Sequence, residues 1–144
     1  MLALSTMLAT LGLDVVRFDF PYREKGSRRP DPMPVLTARF ESVAGQARKA
    51  LHGRRLLIGG RSMGGRVASM FVADGAACDG LLLLAYPLHP PGQPEKLRVA
   101  HLPAITVPVL CINGTRDPFC TPDLMTRTLA DLGSNWQMHW EDQA

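Results

Sequence analysis

The chain has 144 residues, 46% of them hydrophobic and 20% charged, a balance that builds a single globular domain with a real core and excludes a disordered tract. Its net charge of +3, from 16 basic and 13 acidic residues, and its 6% aromatic content are too low for a nucleic-acid binder with a stacking platform. The three cysteines, Cys78, Cys111 and Cys120, are odd in number and form no C-x-x-C pair, which argues against a disulfide framework or a zinc ribbon and for a reducing, cytoplasmic setting.

The opening stretch "MLALSTMLATLG" predicts a helix over residues 1–11 that buries Leu2, Leu8 and Leu11 and ends at Gly12. It lacks the basic start and cleavage site of a signal peptide, and no apolar run reaches bilayer-spanning length, so no membrane partner is expected. Residues 14–20, "DVVRFDF", alternate like a strand. A proline-rich loop follows, and its basic run of Arg23, Lys25, Arg28 and Arg29 reads as a solvated surface. Leu36, Phe40, Val43, Ala47 and Leu51 then recur at helical spacing over residues 35–51.

Residues 55–59 form a short apolar strand, and 64–74 a helix with Val67, Met70 and Phe71 on one face. The run "GLLLLAYP" at 80–87 is apolar throughout, as in a strand buried on both faces. A connection over 88–106 carries at most one helical turn, near residues 95–99, before a strand at 107–114. The last helix spans 121–133, with Thr121 as N-cap, Pro122 first in the helix and Gly133 as C-cap, and residues 136–142 close with a strand. Strands alternating with helices predict one α/β domain over 1–144, a mostly parallel sheet with helices on both faces.

The stretch "GGRSMGG" carries the chemistry. It fails as a phosphate-binding P-loop, because Gly65 and Arg66 stand where lysine and serine or threonine belong, and it lacks the G-x-G-x-x-G spacing of a dinucleotide fingerprint. Gly60, Arg61, Ser62, Met63 and Gly64 do match G-x-S-x-G, with a strand before and a helix after. Such an elbow holds its serine at positive φ, with small residues two before and two after to avoid collision. A serine nucleophile needs a base and a group to orient it, and Asp117, just past the strand at 107–114, is placed for the second role.

Together, "RFDFPYRE", "GGRSMGGRVAS", "YPLHPPGQPEKLR" and "VPVLCINGTRDPF" resemble the α/β-hydrolase family. More narrowly, they are similar to its dienelactone-hydrolase-like branch, with the testis-expressed and NSL-complex subunit 3 relatives. The resemblance covers nearly the whole chain. It implies that Ser62 is the nucleophile, that Asp117 is the triad acid and that the Met63 N–H forms half of an oxyanion hole. True dienelactone hydrolases use cysteine, so their substrate is not carried over. The resemblance also implies earlier strands, a second oxyanion donor and a last helix that these residues do not contain. It places the catalytic histidine in a loop just beyond Ala144.

The histidines present agree with that expectation. His52, His89 and His101 precede Asp117, the wrong order for this fold, and His139 falls within the last strand. The resulting expectation is a serine hydrolase of esters, thioesters or amides, acting on a small-molecule acyl substrate without cofactor or metal and silent as residues 1–144 alone. The rival from another class is a non-catalytic interaction module.

Overall fold

The computed structural model describes residues 2–144, and Met1 lies outside the described residues. The chain divides into two compact units, residues 1–51 and 52–144.

The first unit holds three helices, α1 (Leu2–Thr10), α2 (Pro21–Glu24) and α3 (Met33–Ala50). Gly12 ends α1 with φ 83, as expected of a left-handed terminator, but α1 buries none of its residues. Leu2 and Leu11 are exposed and Leu8 is half-exposed, so the expected burial is corrected: with Ser5, Thr6 and Thr10 set among its apolar residues, α1 has no distinct apolar stripe to turn inward. Residues 14–20 belong to no strand, which corrects the second expectation. Alternation supplies a strand only where a ladder partner exists. Here Phe18 and Phe20 instead meet Phe40 of α3, at centroid distances of 5.1 and 6.5 Å. Leu36 and Phe40 are the buried stripe of α3, with Val43, Ala47 and Leu51 half-buried along the same periodicity. The Asp31 carboxylate accepts the Tyr22 N–H at 2.8 Å, and Arg23, Lys25, Arg28 and Arg29 are exposed.

The second unit is a four-stranded sheet, β1 (Leu57–Arg61), β2 (Gly80–Leu84), β3 (Val109–Gly114) and β4 (Trp136–Glu141), with α4 (Met63–Ala73) after β1 and α5 (Pro122–Ala130) after β3. All pairings are parallel and the strand order is β1-β2-β3-β4. A right-handed crossover between adjacent parallel strands puts its connection on one face, so this monotonic order stacks α4 and α5 on the same side. Burial follows. Ile58, Leu81, Leu83, Val109 and Cys111 are buried, whereas Leu57 and Leu110, one residue out of phase, are 57% and 39% exposed. On α4, Val67, Ala68 and Val72 go inward, while Met70 and Phe71 are only half-buried.

Two local expectations are corrected. Among the described residues the one helical turn in the 88–106 connection is a 3₁₀ turn at Leu102–Ala104 rather than at residues 95–99, and Leu102 anchors it at 2% exposure. Thr121 does cap α5, accepting the Leu124 N–H, but the helix ends at Asp131 and Gly133 takes no positive φ.

Burial pushes the Cys111 and Cys120 thiols up to about 12. In the folded protein at pH 8, iodoacetamide should therefore reach half-buried Cys78 well before either. Mass spectrometry of partially alkylated protein checks this, and equal labelling of all three would contradict the packing.

Candidate active site

The glycine-serine stretch folds as a strand-to-helix reversal. β1 ends at Arg61, α4 begins at Met63, and Ser62 between them has φ 52 and ψ −119. A non-glycine residue held there costs on the order of 1–3 kcal/mol, so its surroundings must enforce the conformation. The Ser62 N–H extends the β1–β2 ladder by donating to the Leu84 carbonyl at 2.8 Å, and the Ser62 carbonyl accepts from the Arg66 N–H at 3.0 Å. The Ser62 hydroxyl does not cap α4, and the residue is exposed. The Met63 N–H lies in the first turn of α4, where amides have no intrahelical acceptor and the helix dipole is positive.

The crowding lies at Gly60 and Gly65. A Cβ on Gly60 would lie 2.4 Å from the Gly64 carbonyl carbon, and one on Gly65 would lie 2.8 Å from the Gly60 carbonyl oxygen. A Cβ on Gly64 would meet nothing within 4 Å. The expectation of tightness two residues on either side of Ser62 is therefore right before it and wrong after it.

Asp117 follows β3. Because the strands are parallel, it opens at the same carboxyl edge as Ser62, two strand spacings or roughly 10 Å across the sheet. Its carboxylate is fixed from one side. Oδ1 accepts the Phe119 N–H at 2.9 Å and Oδ2 accepts from Asn113 Nδ2 at 3.3 Å. Asn113, at 1% exposure, also receives the Tyr86 N–H on its Oδ1 at 3.0 Å and donates to the Tyr86 carbonyl at 3.2 Å. This amide ties the exit of β2 to the Asp117 loop. Sequence reasoning passed over it, although a lone amide inside the apolar run "VPVLCING" must find buried partners and was a readable signal. At the exit of β2, Ala85 adopts φ 48 with its N–H on the Ile112 carbonyl at 2.9 Å.

No histidine among the described residues hydrogen-bonds to Ser62 or Asp117. His139 lies on the exposed side of β4, three strand spacings from β1, with Nε2 3.0 Å from Glu141 Oε1. His89 is buried, with Nδ1 donating to the Pro90 carbonyl at 2.8 Å, and His52 is exposed.

His101 belongs to a network behind α4. Buried Ser69 gives its proton to the Arg66 carbonyl at 2.8 Å, so its 2.8 Å contact with His101 Nε2 requires that nitrogen to carry the hydrogen. The Tyr86 hydroxyl joins at 3.4 Å from both Ser69 Oγ and His101 Nε2. Burial pushes Tyr86 up to about 12. Burial, then the Arg66 charge, lower the His101 pKa, with Asp74 opposing. Among the described residues no three His, Cys, Asp or Glu side chains gather into a metal-binding group, and no helix is long and apolar enough to cross a membrane.

This arrangement is that of an α/β-hydrolase: a parallel sheet with a serine elbow and an acid at one carboxyl edge. A family model described as an alpha/beta hydrolase domain matches residues 1–144, and the chain belongs to the α/β-hydrolase family. Solved structures share the fold. An alpha-beta serine hydrolase homologue from Coxiella burnetii aligns with TM-score 0.79 and 18% identity, over 99% of this chain and 65% of its own. TT1662 from Thermus thermophilus aligns at 0.60 and 22%, over 77% and 56%. A monoacylglycerol lipase from Paleococcus ferrophilus aligns at 0.62 and 12%, over 82% and 68%. The chain thus spans less than two thirds of the length of the first two.

Two measurements test the site. Gly60→Ala should cost several kcal/mol in urea unfolding, since backbone rather than a flexible side chain must move, whereas Gly64→Ala should be neutral or stabilising by roughly 0.5–1 kcal/mol. The His101 pKa lies below its unfolded value of 6.5, so the unfolded chain binds more protons on acidification. Its contribution is complete above about pH 6.5 and is lost as pH falls through the folded pKa. The melting temperature should decline in that window, and His101→Gln should flatten the decline.

Proposed function

We propose that the protein is a serine hydrolase of carboxylic esters, thioesters or amides of small molecules, of the dienelactone-hydrolase-like branch. The observation that carries this reading is the left-handed Ser62 at the strand-to-helix turn, with its hydroxyl not used as a helix cap. Ser62 Oγ attacks the substrate carbonyl while a histidine, oriented by Asp117, takes the hydroxyl proton. The negative charge that develops on the carbonyl oxygen is received by the Met63 N–H, which is pre-aimed by α4 and needs no reorganisation during the reaction. A second donor completes the oxyanion hole. The histidine then returns the proton to the leaving alcohol, thiol or amine, and water cleaves the acyl-serine by the same steps in reverse.

The base comes from outside residues 1–144 in this reading: none of the histidines described hydrogen-bonds to Ser62, and His89, His101 and His139 are each engaged elsewhere. The Asn113 and Phe119 donors hold the Asp117 carboxylate for that histidine. The same lack of a base within these residues favours the second reading, an α/β-hydrolase domain that binds without catalysing.

A fluorophosphonate probe separates the two. The intact protein should be labelled at Ser62, with labelling abolished by Ser62→Ala and reduced about 10²–10⁴-fold by Asp117→Asn. Absence of Ser62 labelling in well-folded intact protein would favour the non-catalytic reading.

A further inference from the structure

Among the described residues three non-glycine positions take positive φ: Ser62 (φ 52), Ala85 (φ 48) and Gln143 (φ 61). Each follows the end of a parallel strand, so all three lie at the carboxyl edge of the sheet, where Ser62 and Asp117 open. Such strain persists only where the surroundings enforce it, and it collects at working sites. Ser62 and Ala85 are held by backbone bonds to the neighbouring strand. Gln143 is held differently, by two side chains of the turn that leads into Asp117.

That turn, at 114–117, is closed by the Asp117 N–H on the Gly114 carbonyl at 3.1 Å. Thr115 Oγ1 accepts the Gln143 N–H at 3.1 Å. Arg116 donates to the Gln143 carbonyl from Nε at 3.0 Å and also from Nη2. Gln143 is thus gripped at both of its backbone polar groups. Backbone bonds complete the clasp: the Thr115 N–H donates to the Glu141 carbonyl at 3.0 Å and the Arg116 N–H to the Ala144 carbonyl at 2.9 Å. A Cβ on Gly114 would strike that same Ala144 carbonyl, so the two segments meet as backbone on backbone. The Asn113 and Phe119 bonds set the Asp117 carboxylate within its own loop, and the bonds from 115 and 116 set that loop against the exit of β4.

We propose, on the reading of Asp117 as the triad acid, that Arg116 is a positioning residue of the active site. By holding Gln143 in its left-handed turn, it locks the exit of β4 onto the 114–117 turn and so fixes where the Asp117 carboxylate stands. Arginine suits this role better than lysine, because one planar guanidinium sends two N–H groups to one carbonyl, whereas an ammonium is a point charge on a flexible stem. Arg116 is exposed, and an exposed tie of this kind adds little to global stability. Its effect falls on placement instead. A displacement of about 1 Å at a reacting group can cost roughly 100-fold in rate, which a melt hardly registers.

The test is the rate of fluorophosphonate labelling at Ser62 in the intact protein, with thermal melts alongside. Arg116→Ala should slow labelling at least about tenfold while the melting temperature moves by no more than about 3 °C. Arg116→Lys should recover only part of the rate. The acid limb of the rate–pH profile should move to lower pH in Arg116→Ala, since a base that loses its carboxylate partner holds its proton less tightly. In an Asp117→Asn background, Arg116→Ala should cause no further loss, because it acts through that carboxylate. An equal loss in both backgrounds would mark a merely structural role and overturn the proposal, as would labelling of Arg116→Ala at the wild-type rate. Thr115→Val, which removes the acceptor for the Gln143 N–H at nearly equal size, should behave as Arg116→Ala does and serves in its place if that variant does not fold. Wild-type protein left unlabelled at Ser62 would sink the hydrolase reading and this proposal with it, whereas a labelled wild type with indifferent Arg116 variants sinks the proposal alone.

Discussion

Backbone touches backbone where β1 turns into α4, and the rest of the site is arranged around that contact. The approach of Gly60 to the Gly64–Gly65 peptide leaves no room for a side chain on either Gly60 or Gly65. Only with that approach does the chain reverse within one residue, and only then does Ser62 take φ 52. The strain is offset by two backbone bonds, one from Ser62 to β2 and one back from Arg66. The same reversal that exposes the serine also aims the first amides of an 11-residue helix at it. Position, exposure and local field of the hydroxyl thus share one steric cause.

Buried polar groups do the corresponding work at the other strand ends. Asn113 uses both ends of its amide, holding the Tyr86 peptide and one oxygen of Asp117. Tyr86 in turn presents its hydroxyl to Ser69, His101 and Arg98. The consequence is a continuous hydrogen-bonded line from the loop after β3 to the inner face of α4, under the carboxyl edge of the sheet. Within an apolar interior such lines fix geometry, because every alternative arrangement strands a polar atom.

How much of this was legible in the sequence depended on whether the cause was local. The elbow was legible, since glycines around a serine between an apolar run and a helical run encode a steric fact. So were the four sheet strands and α3, whose patterns are set by burial on one or both sides. Residues 14–20 carried the same alternation yet formed no strand, because a strand also requires a neighbour that no local pattern reports. The burial of α1 was misjudged for a related reason: leucines announce that a surface exists to be covered, not that it is covered here. Asn113 and the Ser69–Tyr86–His101 network were missed because their partners lie 15 to 32 residues away along the chain. Gly133 misled through composition alone, ending a helix in the pattern but not in the fold.

The monotonic order of the four strands has a kinetic consequence. Each strand pairs with the one before it in the chain, across connections of roughly twenty residues, so no pairing waits for a distant segment to be found. Loop closure of that length costs little more than that of a short hairpin, since the entropy rises only with the logarithm of length. The sheet can therefore grow by stepwise addition from β1 toward β4. In that sequence the serine turn is complete once β2 has docked, because its ladder bond reaches only to Leu84. The Asp117 loop has to wait for β3. The two halves of the site are thus assembled at different moments of folding, the strained half first.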